Sequence, residues 1–108
     1  MSLSGYESQV SALLNEEERM AMEFFIACEP EDHPVMPGAG GFRKARWARR
    51  GKGKSGGFRV IYYFIAEPGQ IFMAAIYAKS RKETLSEADQ NVLTKLAAQI
   101  KKAARGGR

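Results

Sequence analysis

Apolar and polar positions along the chain change period twice. From Asn15 the spacing is helical. Met20, Phe24 and Cys28 recur every four residues with Phe25 beside them, which predicts a helix with one apolar face. Asn15 followed by Glu18 supplies a capping box for its start. Residues 8–14 read as a shorter helix before it. The segment 30–41 (PEDHPVMPGAGG) holds three prolines and three glycines and reads as a loop.

From residue 42 the period falls to two. In 42–49 (FRKARWAR), Arg43, Ala45 and Trp47 point one way and Lys44 and Arg46 the other. In 58–65 (FRVIYYFI), Arg59 shares a face with Ile61 and Tyr63. After a Glu67-Pro68-Gly69 turn, 71–79 (IFMAAIYAK) puts Met73, Ala75, Tyr77 and Lys79 on one face. Short connections favour an antiparallel meander. Ser86, with Asp89 three residues on, then caps a helix whose buried stripe reads Val92, Leu96, Ile100 and Ala103, flanked by Leu93 and Ala97. Lys101, Lys102 and Arg105 suit its C-terminus. The expected fold is α+β: a small antiparallel sheet of three or four strands with N-terminal helices and a C-terminal helix. A single domain over 1–108 is expected, with residues 1–5 and 104–108 flexible. Helices on one sheet face would leave the other partly open, where Lys44, Arg46, Arg59, Lys79 and Arg81 converge.

Composition narrows the class. The chain is 44% hydrophobic and 27% charged, as in an ordinary globule. Its apolar runs, such as Val60 to Ala66, are far too short to cross a bilayer. With no visible signal sequence and a single cysteine, the expected location is the cytoplasm. Cys28 reads as a small helical core residue and His33, among acids and prolines, as a surface residue rather than a catalyst.

Charge changes the picture more. Residues 1–32 carry eight acids and one base, Arg19, a net −7. The total is +5, so the remainder carries +12. Eight bases and no acid lie between Arg43 and Arg59: Arg43, Lys44, Arg46, Arg49, Arg50, Lys52, Lys54 and Arg59. A one-sign run inside a folded region points to a polyanion partner.

Gly53-Lys54-Ser55 resembles the end of a nucleotide-binding loop, and with Ala48 in place of the first glycine 48–55 fits a relaxed form of that pattern. Gly56-Gly57 and a β-rich run follow instead of the helix whose N-terminus would hold the phosphates, so that reading fails. The sequence also offers no histidine suited to proton transfer and no metal-holding cluster beside the basic face. Chemistry there falls to Lys, Arg and Tyr.

The combined motifs, 41–47 (GFRKARW), 51–63 (GKGKSGGFRVIYY) and 76–79 (IYAK), resemble the RelE/HigB family of bacterial toxins, and within it the HigB-like branch. The resemblance spans about residues 15–102. It implies a ribosome-dependent mRNA endonuclease without metal or cofactor, silenced by a cognate antitoxin that usually carries a helix-turn-helix domain. It implies Lys54 or Lys44 as base, Arg59 as stabiliser of phosphoryl charge, and Arg81 or Lys79 as acid or second phosphate clamp. Tyr77 would stack on a base or donate a proton. Arg43, Lys44, Arg46, Arg49, Arg50 and Lys52 would grip RNA. One departure from the family's pattern is the absence of a tyrosine in 82–96 for proton return. Two rival readings share the same basic face: a ParE-type toxin directed at DNA gyrase, and a non-catalytic RNA- or ribosome-binding module.

Overall fold

The computed structural model describes residues 5–48, 57–66, 69–78 and 86–106. Its elements are α1 (Tyr6–Leu13), α2 (Glu16–Cys28), β1 (Arg43–Ala48), β2 (Gly57–Ile65), β3 (Gln70–Ala78) and α3 (Glu87–Gly106). The strands form one antiparallel sheet in the order β1-β2-β3. This is the α+β arrangement that the change of period predicts.

The helix starts are built as their sequence signals require. The Glu18 N–H donates to Asn15 Oδ1 at 2.7 Å, and the Asn15 N–H donates to Glu18 Oε1 at 3.0 Å. At α3 the Asp89 N–H donates to Ser86 Oγ at 3.1 Å. Each cap satisfies backbone donors that the first helical turn leaves without partners.

Helices cover both faces of the sheet, not one as the pattern suggested. Against one face α1 and α2 pack Val10, Leu14, Met22 and Ile26 onto Val60, Tyr62 and Ile76. Against the other, α3 packs Leu93, Ala97 and Ile100 onto Ile61, Tyr63 and Ala75, with Phe42 alongside. Alternation along β2 feeds both layers, so a strand with apolar residues on each side needs cover on each side.

Four further expectations are corrected. On α2 the buried residues are Met22 and Ile26, while Met20, Phe24, Phe25 and Cys28 are exposed. Polar partners decide this rotation. Arg19 Nη1 and Nη2 donate to Glu7 Oε1 and Oε2, both at 2.8 Å, and Arg19 Nε donates to Glu23 Oε2 at 3.0 Å. The Tyr6 hydroxyl donates to the same Glu23 oxygen at 2.6 Å. This knot turns the Arg19–Glu23 side of α2 inward against α1, and Met22 and Ile26 go with it.

On α3 the buried stripe is Leu93, Ala97 and Ile100, and Val92 is half exposed. The cause is a close approach. Gly40, at φ +70°, lies so near the helix that a Cβ there would sit 2.9 Å from Thr94 Cα and 3.0 Å from Ala97 Cβ. A small residue must face that turn, and the helix rotates to present Ala97. In β3 the register slips at Ala74, since Ile61 pairs with Ala75 but Tyr62 with Met73. The bulge moves Met73 to the α1–α2 face, away from Ala75 and Tyr77.

His33 is half-buried, not a surface residue, with its ring 5.2 Å from Phe25 and 6.1 Å from Tyr62. Both sheet edges are met. The Lys44 N–H donates to the Pro34 carbonyl at 3.0 Å beside a Val35–Arg43 bridge, and the Ile76 N–H donates to Gln9 Oε1 at 3.2 Å.

Candidate functional site

The site is built from strand alternation. Arg59 is the one charged residue of β2, and it occupies the face that α3 partly covers. Register puts Arg46 of β1 directly opposite it on one side and Tyr77 of β3 directly opposite on the other. The next row on the same face is Lys44, Ile61 and Ala75. Lys44 and Arg59 are half-buried, Arg46 is exposed and Tyr77 is buried. The sequence placed Lys44, Arg46 and Arg59 on one face together with Lys79 and Arg81; the structure brings the first three together with Tyr77 beside them, and Lys79 and Arg81 lie outside the described residues.

Directly opposed side chains of neighbouring strands stand roughly 5 Å apart at Cβ, and like charges there are destabilising. Among the described residues, no carboxylate pairs with Lys44, Arg46 or Arg59; the ion pairs present are those of Arg19 with Glu7 and Glu23. A cation row of this kind is complementary to an anion with several oxygens, since each guanidinium offers a planar fork of donors.

Arg43 lies elsewhere. It faces the α1–α2 side, and its Nη1 donates to the His33 carbonyl at 2.7 Å and the Glu31 carbonyl at 3.1 Å, tying the 30–34 loop to β1. Tyr62 also faces away. Its hydroxyl donates to the Pro30 carbonyl at 2.7 Å, and burial holds its pKa above the ordinary phenol value. Sequence reasoning missed this anchoring of the loop. The alternation that assigned Arg43 to the other face was its only signal.

Arg49, Arg50, Lys52, Lys54, Lys79 and Arg81 lie outside the described residues. The segments that carry them adjoin Ala48, Gly57 and Ala78 in sequence. Ala48 pairs with Gly57, and Ala78 with Phe58, all within two positions of Arg46, Arg59 and Tyr77. Among the described residues, no group of three His, Cys, Asp or Glu side chains is arranged to hold a metal ion, and no helix is long and apolar enough to cross a membrane.

A small antiparallel sheet, wrapped by helices on both faces and presenting a cation row at one end, defines an α+β protein suited to a polyanionic partner. A family model, that of the RelE toxin of the RelE/RelB toxin–antitoxin system, matches residues 38–106, well over half of the chain. The chain belongs to this family: it is the toxin of a toxin–antitoxin module, and a cognate antitoxin is its implied partner. The matched stretch takes in all three strands and α3 and stops short of α1 and α2.

Proposed function

We propose that this toxin cuts messenger RNA on the translating ribosome at the sheet face centred on Arg59. The observation that supports this most is the Arg46–Arg59 pair, two opposed cations without a carboxylate partner among the described residues, beside Tyr77. The ribose 2′-oxygen attacks the adjacent phosphorus, and the bond to the 5′-oxygen breaks. The products are a 2′,3′-cyclic phosphate and a free 5′-hydroxyl. One proton leaves the 2′-hydroxyl and one reaches the departing oxygen.

Arg59 stabilises the charge that grows on the phosphoryl oxygens. Lys44 or Lys54 takes the first proton. Lys79 or Arg81 returns a proton or clamps the phosphate, and Tyr77 stacks on a base or donates. Arg46, Arg49, Arg50 and Lys52 grip RNA backbone. Arg43 supports the site by holding the 30–34 loop against β1. The ribosome supplies the in-line alignment of 2′-oxygen and phosphate, so naked RNA is a poor substrate. On the likeness of the run 53–63 we read the chain as HigB-like, acting in the cytoplasm and silenced by an antitoxin of helix-turn-helix type.

The test is cleavage of a defined mRNA by the purified protein, with and without programmed ribosomes, followed by mapping of 5′ ends. Cuts within the A-site codon, dependent on ribosomes, are expected. Intact mRNA together with gyrase-linked DNA breaks in expressing cells would move the assignment to a ParE-type toxin. Ribosome binding without cuts would make the protein a non-catalytic module.

A further inference from the structure

α2 is apolar on two opposite sides, and the fold uses only one. Met22 and Ile26 are fully buried, whereas Met20 is 66% and Phe24 70% exposed. Ala21, Phe25, Ala27 and Cys28 are exposed as well. At the helix positions 20, 21, 24, 25, 27 and 28, two turns of outward surface carry no charge. Isolated exposed apolar residues need no explanation, but a contiguous face does.

Charge frames this face and selects its occupant. Glu16 and Glu17 stand at one end, and Glu29, Glu31 and Asp32 at the other, all exposed. Within α2 the one base, Arg19, is taken up by Glu7 and Glu23 on the inner side, and Arg43, beside the 30–34 loop, has its Nη1 on the Glu31 and His33 carbonyls. An acidic frame repels nucleic acid and anionic lipid. A second copy of α2 is also disfavoured. Antiparallel or parallel, it would set acids against acids at both ends. At 1.5 Å per residue α2 is about 20 Å long, and one face of about 10 Å width offers about 200 Å². That is well below the roughly 800 Å² per partner of a stable interface. The face is one contact of a larger heterologous partner.

We propose that the outer face of α2 is a docking surface for a protein segment presenting an apolar helical stripe with lysine or arginine at both ends. The proposal rests on α2 alone and is independent of mRNA cleavage. The face lies outside the stretch matched to the family, 38–106.

Cys28 is the one cysteine of the chain and sits on this face, so its reaction with N-ethylmaleimide reports occupancy directly. The probes are two synthetic helical peptides with the same leucine and phenylalanine stripe, one ended by lysines and one by glutamates. They are used up to about 1 mM, as suits so small a contact. The lysine-ended peptide is expected to slow Cys28 labelling several-fold at low salt, less so at high salt, and the glutamate-ended peptide not at all. Phe24→Glu is expected to abolish the protection, and Phe24→Gln, which adds no charge, to weaken it. Each variant is compared with itself without peptide. Equal protection by both peptides, protection by neither, or protection that survives Phe24→Glu would overturn the proposal. So would a concentration-dependent dimer lost in Phe24→Glu, or protection of Cys28 by phosphatidylcholine vesicles in place of the peptide. The first would give the face to a second copy, the second to lipid.

Discussion

Arg19 and Arg59 carry the same guanidinium into opposite surroundings. Arg19 has its fork filled by both oxygens of Glu7, its Nε on Glu23, and the Tyr6 ring 5.5 Å beneath it. Arg59 has no carboxylate partner among the described residues and faces a second arginine across the ladder. A cation whose donors are filled from within holds two helices together. One left beside another cation at the end of a sheet has its donors available to an outside anion. Where α1 meets α2, charge is used for assembly; on the Arg46–Arg59 face of the sheet it is presented.

That contrast can be broken at either end. Arg19→Ala should have the largest effect on folding. It strips the α1–α2 knot of three hydrogen bonds and leaves Glu23 with Tyr6 alone. Because Glu7 is largely exposed, the loss is discounted to about 1–2 kcal/mol. Denaturant titration should find it, while cleavage per folded molecule stays unchanged.

Tyr6→Phe should cost about 1 kcal/mol, since Glu23 keeps Arg19. It should also remove an alkaline sensitivity. Burial, reinforced by the bond to Glu23, raises the Tyr6 pKa well above its ordinary value of 10.0. The folded state therefore favours the neutral phenol. Its contribution is complete below pH 10 and is lost as pH rises beyond that. Glu7 gives the opposite sign. Its hydrogen bonds to Arg19 hold its pKa below 4.5, so its contribution is present above that value and lost on acidification. Melting curves of wild type and Tyr6→Phe should converge at high pH and differ near neutrality.

Arg46→Ala should have the smallest effect, and of opposite sign. Removing one of two opposed cations should raise stability by a few tenths of a kcal/mol, while the salt dependence of ribosome binding falls by about one phosphate contact. A clear loss of stability would mean that Arg46 has an internal partner and that the contrast with Arg19 fails.

The sheet and the caps were legible because their signals are local. Alternation along 42–49 and 58–65 fixed which face Lys44, Arg46 and Arg59 share, and Asn15–Glu18 and Ser86–Asp89 marked helix starts. The failures on the helices share one physical reason: helical period says that a face is apolar, not which of two faces is covered. On α2, Met22–Ile26 and Met20–Phe24–Cys28 are equally periodic. Glu7 and Tyr6, from another helix, broke the tie. On α3 the choice between Val92 and Leu93 was made by Gly40, more than fifty residues earlier. The Ala74 bulge was hidden because a period of two cannot register one inserted residue. In the site, the shared face of Lys44, Arg46 and Arg59 followed from alternation, but the register that sets Tyr77 opposite Arg59 and the tie from Arg43 to the Glu31 and His33 carbonyls did not.

The most direct test is a pair of measurements on Arg59→Ala: co-sedimentation with programmed ribosomes, and single-turnover cleavage of their mRNA. If Arg59 meets charge that develops only as the phosphorus is attacked, cleavage should fall roughly 10²–10³-fold. Ribosome binding should weaken only as expected for one lost phosphate contact, and thermal stability should not decrease. Equal loss of binding and cleavage, or a misfolded variant, would make Arg59 a grip or a structural residue and would contradict the account.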